Sequence, residues 1–298
     1  MNRSLFYFFL ILSMIFWGAS WVNVKILSSY INEYEVVFLR LVLSVLTLAP
    51  ILVYLKLDFK INYKAMFLIF IAAITLILYS IFFFLGVKHG TAGLGGALVT
   101  TLIPINTFII LAFWHKKVIS LKHSFALILG AFGVLTMLNI WEFDINEIFS
   151  IQNIFFIGAS FLWPILTITS SKATRTNPFI FTFYLYLVAS FLVYIFFIDI
   201  EVVNKSLDFD STFWINMLSL SVLATTFATS TYFIGIEKLG TKEVSSFIFL
   251  VPVSALVLSA IFLNEKITFN TFLGTVCTII SIYILNDIKI KYLKFRKN

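Results

Sequence analysis

Residues 90–117, GTAGLGGALVTTLIPINTFIILAFWHKK, decide how the chain is read, together with a later twin at 240–266, GTKEVSSFIFLVPVSALVLSAIFLNEK. Each opens on Gly-Thr, continues as a long apolar run with one internal proline, Pro104 or Pro252, and stops at a short polar cluster ending in lysine. Roughly 20 apolar residues rising 1.5 Å each cross the hydrocarbon of a bilayer, so each run reads as a spanning helix. A proline inside such a helix removes a donor and frees the carbonyl four residues back. That carbonyl is Thr100 in one copy and Ile248 in the other, both near mid-membrane. A single proline reads equally well as a tolerated kink. The same interruption at matching places in two halves points instead to a solute path or a gate.

Composition carries the reading outward from these two runs. Of 298 residues, 61% are hydrophobic and only 12% charged, against about 45–50% and about 25% in soluble domains. The spacing predicts an all-α membrane protein with ten transmembrane helices, over 5–27, 36–55, 65–87, 92–113, 121–140, 151–171, 179–198, 213–236, 243–263 and 267–286. The first run is too long for a signal h-region and no small-residue cleavage site follows it, so it is expected to stay in the mature protein. Lysines and arginines give the orientation. With the amino terminus inside, sixteen fall on the cytoplasmic side and three opposite, while most acids lie opposite. The net charge of +7 is thus largely a topology signal, and both termini are expected in the cytoplasm, in a multi-pass protein of the cytoplasmic (inner) membrane.

The chain repeats itself. Trp17-Gly18 followed by Lys25 in the first helix is echoed by Trp163-Pro164 followed by Lys172 in the sixth, and the Gly-Thr, proline and lysine pattern recurs in the fourth and ninth. Five helices is an odd number, so the second unit enters the membrane reversed. The expected organisation is two inverted five-helix repeats, 1–145 and 146–298, an arrangement that supports alternating access.

At Trp17-Gly18-Ala19-Ser20 with Lys25, Arg40 early in helix two, the paired Gly-Thr-to-proline helices, Asn264-Glu265-Lys266 and Gly274, the chain resembles the drug/metabolite transporter superfamily, specifically its ten-helix EamA-type members. Lys116 stands where the first half would match Glu265. The resemblance covers essentially the whole chain. It implies secondary transport of small metabolites, frequently amino-acid efflux, without ATP hydrolysis, through a cavity lined by helices one, three, four, six, eight and nine.

Polar side chains inside spans are costly unless they face one another or a cavity. On those helices the candidates for substrate contact are Trp17, Ser20, Asn23, Tyr79, Thr101, Asn106, Trp163, Thr167, Thr226, Thr229, Tyr232 and Ser246. Pro104 and Pro252 are candidates for gating, and Lys25 and Glu243 for contact with substrate charge. An indole offers a stacking face and a donor, which favours Trp17 and Trp163, although both could equally anchor or pack. Many of the hydroxyls have the simpler option of bonding back one turn along their own helix. Lys25 and Arg40 read as interfacial cations, Arg40 pairing with Glu33 or Glu35. Gly86 with Gly90, and Gly130 with Gly133, read as close helix contacts.

No acid or histidine falls near the middle of a span, which argues against a carboxylate-driven cation/proton antiporter. There is no Gly-rich nucleotide loop and a single cysteine, Cys277, so no cofactor or metal is expected. The expected partners are a small-molecule substrate and the lipid bilayer, with no nucleic acid; a homodimer is left open. Uptake or exchange of a larger metabolite, a nucleotide-like cofactor or a carboxylate, is the second reading. An intramembrane enzyme is a third, lacking any catalytic cluster in the sequence.

Overall fold

A computed structural model describes residues 3–114, 120–139, 141, 149–173, 176–199, 208–239, 244 and 246–285. Among these residues there are no strands and ten helical rods, numbered here in chain order. They are α1 (Arg3–Leu27), α2 (Glu33–Tyr54), α3 (Tyr63–His89), α4 (Ala92–Trp114), α5 (Leu121–Met137), α6 (Ile151–Ser171) and α7 (Pro178–Phe197). α8 (211–239) is continuous but changes pitch, with a π-helical segment at Ser219–Phe227 between two α-helical pieces. α9 begins as a 3-10 turn at Ser246–Phe249 and continues as α-helix over Leu250–Leu263, and α10 is Phe269–Leu285. Seven rods meet the length and hydropathy of a bilayer span outright; α5, α9 and α10 are shorter.

Local chemistry sets the ends. Asn32 closes α2 in a capping box with Glu35, Asn62 caps α3, Ser120 caps α5, and Asp210 accepts from Phe213 N–H at the start of α8. The two marker prolines behave differently. α4 runs through Pro104 as one α-helix, whereas α9 reaches Pro252 out of its tighter 3-10 turn.

The packing has two-fold order. α5 lies along α10, α4 along α9 and α2 along α7. Most of the remaining contacts between halves come in pairs: α3 with α6 and α8 with α1; α4 with α6 and α9 with α1; α3 with α7 and α8 with α2. Adding or subtracting five from each helix number maps each of these contacts onto another or onto itself, and the one extensive contact outside the scheme is α4 with α10, which α5 and α9 do not match. That is the signature of two halves related by a dyad, and the odd helix count per half makes it an inverted one.

Small residues let the rods approach. α9 threads between α1 and α4, where a Cβ on Gly18 would collide with Ser254 and one on Gly96 with Ala255. Gly133 and Gly274 meet across α5 and α10, each facing the other's carbonyl oxygen. Outward faces carry large apolar side chains such as Phe8, Leu46, Phe67, Phe191, Ile215, Phe262 and Phe272. Buried positions include Asn23, Ser44, Asn106, Ser160, Thr225 and Thr226. A soluble protein reverses that distribution; a bundle surrounded by lipid requires it.

Candidate functional site

The polar positions converge on the π segment of α8. Within it the Thr225 hydroxyl donates to the Leu220 carbonyl (2.8 Å) and the Thr226 hydroxyl to that of Ser221 (3.3 Å), each five residues back. This widened turn presents backbone and side-chain acceptors sideways, which is how π segments come to carry sites inside helices. Both neighbouring helices use them. From α1, Trp17 Nε1 donates to the Ala224 carbonyl (2.9 Å) and Asn23 Nδ2 to Ser219 Oγ (2.9 Å). From α2, Arg40 Nε donates to Thr225 Oγ1 (3.0 Å), and Thr47 and Thr226 share a hydroxyl contact of 2.8 Å. The Ser44 hydroxyl lies 3.2 Å from the Ser221 carbonyl and 2.7 Å from that of Arg40.

Arg40 corrects the sequence reading. Neither expected acid is its partner: Glu33 lies 3.7 Å from Lys88 and Glu35 is held in the Asn32 capping box. The guanidinium instead bonds to Thr225 of α8, with Tyr79 on α3 and Tyr186 on α7 within its electrostatic reach. Tyr79 also packs its ring 4.7 Å from that of Trp163 on α6, and Trp17 lies 5.3 Å from Tyr232. Six helices, α1, α2, α3, α6, α7 and α8, thus contribute to one central cluster.

Other candidates have local partners. The hydroxyls of Ser20, Thr101 and Thr167 donate back along their own helices, to Trp17, Ala97 and Trp163 carbonyls respectively. Asn106 links α4 to α6, donating to Ser160 Oγ at 2.9 Å. Lys25 caps the carboxyl end of α3, its ammonium within 2.8, 3.3 and 2.7 Å of the carbonyls of Val87, Lys88 and Gly90. Glu243 and the side chain of Ser246 lie outside the described residues, as do Lys116, Gly240 and Thr241.

The two ends of the bundle differ. At the end away from the amino terminus, Glu265 crosses from the α9–α10 turn and accepts from Ala92 N–H and Gly93 N–H, both at 2.8 Å. A carboxylate on two free amides of a helix start is a strong tie, favoured by the dipole as well as the hydrogen bonds. Together with Lys25 it clamps the α3–α4 corner. Glu265 also lines a cavity of about 180 Å³ there, and at the other end Arg3, Phe6, Lys238 and Leu239 line one of about 380 Å³.

Sequence reasoning passed over Tyr186, Ser219, Ser44 and Thr47. For α2 a signal existed, since Arg40, Ser44 and Thr47 recur at helical spacing on one face of an otherwise apolar span. Nothing marks Tyr186 among the aromatic residues of α7.

A bundle of two inverted five-helix halves with apolar outward faces, meeting around a polar cluster, belongs to the class of membrane transporters. The chain belongs to the EamA-like transporter family, whose pattern matches residues 4–139 and again 150–287, and so to the drug/metabolite transporter superfamily. It is 24% identical over 291 residues to a chloroplastic WAT1-related protein of Arabidopsis thaliana, covering 93% of this chain and 68% of that protein. A solved structure described only as the crystal structure of a protein superposes with a TM-score of 0.61. It covers 95% of this chain and 96% of its own at 14% identity, a likeness of fold.

Proposed function

We propose that this transporter carries small metabolites such as amino acids outward across a cytoplasmic (inner) membrane by alternating access, with both termini in the cytoplasm. The observation that carries the reading is the inverted pairing of helices around the Arg40, Tyr79, Trp163 and Tyr186 cluster. In an inverted repeat, rocking one half against the other exchanges the open end without rebuilding the core. Lys25 and Glu265 tie the α3–α4 corner at one end, and cavities lie at both ends, one lined by Glu265 and one by Arg3 and Lys238. The repeat units are taken as 1–145 and 146–298.

Counterflow in vesicles reconstituted with the purified chain tests this. Preloaded amino acids and related metabolites should drive saturable uptake of the labelled compound, and Trp17→Ala or Trp163→Ala, at matched incorporation, should lower it. No saturable flux across a broad panel would remove the transport reading. Unchanged flux and affinity in both variants would remove the two indoles from the substrate path. Labelling of single cysteines in intact cells checks the sidedness of the termini.

A further inference from the structure

We propose that Arg40 is the docking group for a carboxylate on the transported molecule, and that the central cluster favours anionic substrates with an apolar body over their zwitterionic or cationic counterparts. This rests on the transport reading above and narrows its substrate class, from amino acids to carboxylates that carry no ammonium.

Arg40 stands seven residues into α2, about 10 Å along the axis from Glu33. Its bond to Thr225 Oγ1, through Nε, is the one hydrogen bond its guanidinium makes among the described residues. That contact sets the plane of the group and leaves the two terminal NH2 groups, the fork that matches a carboxylate, for another partner. Glu33 and Glu35, the acids nearest in the chain, are engaged with Lys88 and Asn32, and Asp210 and Glu265 are engaged with Tyr30 and the start of α8 and with the start of α4. A cation at membrane depth without a counter-charge is expensive, and such residues mark the paths of ions and substrates.

The surroundings fit an organic anion. The phenols of Tyr79 and Tyr186 lie within electrostatic reach of the guanidinium, while the paired rings of Tyr79 and Trp163 give an apolar face nearby. The cluster as described contains no carboxylate to receive an ammonium. A zwitterion therefore leaves its amine to neutral groups, and a bare amine meets a like charge.

Three probes with one aromatic body decide the matter: 3-phenylpropanoate, phenylalanine and phenethylamine. Their binding to the purified full-length chain in detergent is measured by titration calorimetry. The expected order is phenylpropanoate tightest, phenylalanine weaker and phenethylamine undetectable. Arg40→Gln should weaken phenylpropanoate by at least about thirtyfold, the usual consequence of truncating one partner of a buried charge pair. Arg40→Lys, which keeps the charge and loses the fork, should fall between. No binding of phenylpropanoate overturns the proposal. So does phenethylamine binding as tightly as the acid, or a monodisperse Arg40→Gln that keeps full affinity. If Arg40→Gln does not fold, the probe series on the unaltered protein decides alone. Counterflow of the same compounds separates the two readings. Binding without flux removes transport and leaves the site; flux carried by the amine in preference to the acid leaves transport and removes the site.

Discussion

Replacing Glu265 by alanine should free the start of α4 from the turn between α9 and α10. In the intact chain its two oxygens accept from Ala92 N–H and Gly93 N–H at 2.8 Å each, and Ala92 is fully buried. A capping side chain contributes about 1 kcal/mol, and hydrogen bonds to a charged acceptor about 1.5–3 kcal/mol each before solvent takes its share. The carboxylate is partly exposed, so the lower end applies, about 3 kcal/mol for the pair. At 1.4 kcal/mol per tenfold, that is a rise of roughly a hundredfold in local opening. Amide hydrogen exchange on the whole protein reads it directly, because protection reports the free energy of local opening. The peptide spanning 90–97 should exchange roughly a hundredfold faster in Glu265→Ala, while peptides from α7 keep their rates. Glu265→Gln retains one acceptor and should fall near the middle. Thr91→Ala, which removes a longer cap of 3.3 Å onto Leu94 N–H, should have a smaller effect. Equal exchange of the 90–97 peptide in the alanine variant and the parent would refute the clamp.

Trp17→Phe keeps a ring against Tyr232 and removes the donor to Ala224, so unfolding in SDS should shift by about 1 kcal/mol, with Trp17→Ala costing more; equal midpoints for all three would show the bond contributes nothing. Lys25→Met preserves the stem while uncovering the last carbonyls of α3, expected at about 1–2 kcal/mol. Because Lys25 and Glu265 hold the same corner, the double variant should depart from additivity in the exchange assay; strict additivity would mean the two ties act separately. Gly274→Ala places a methyl on the Gly133 carbonyl oxygen, a backbone atom that yields only if α5 and α10 part. It should lower thermal stability by about 1–3 kcal/mol, and a midpoint unchanged by it would contradict the close crossing.

The ten spans were legible along the chain, most of them within a few residues, because hydropathy is local and a bilayer forces each segment to satisfy its own backbone hydrogen bonds. The inverted repeat was legible for a related reason: matching markers five helices apart, Gly-Thr to proline and tryptophan to lysine, survive as linear patterns. Intramembrane cost likewise singled out Trp17, Asn23, Asn106 and Thr226, each of which bonds across helices. Partners were another matter. Arg40 reads as a boundary cation beside two glutamates, and its bond to Thr225 depends on how α2 is rotated against α8. Lys25 reads as an interfacial cation or a contact for substrate charge, and Glu265 as the acid of a family motif; their partners, α3's last carbonyls and α4's first amides, appear only on folding. The π turn of α8 is hidden in an ordinary apolar run. Helix rotation and depth are set where Gly18 meets Ser254, Gly96 meets Ala255 and Gly133 meets Gly274, contacts between residues more than a hundred positions apart. Close packing at those crossings is a property of the assembled bundle, and no periodicity within one helix encodes it.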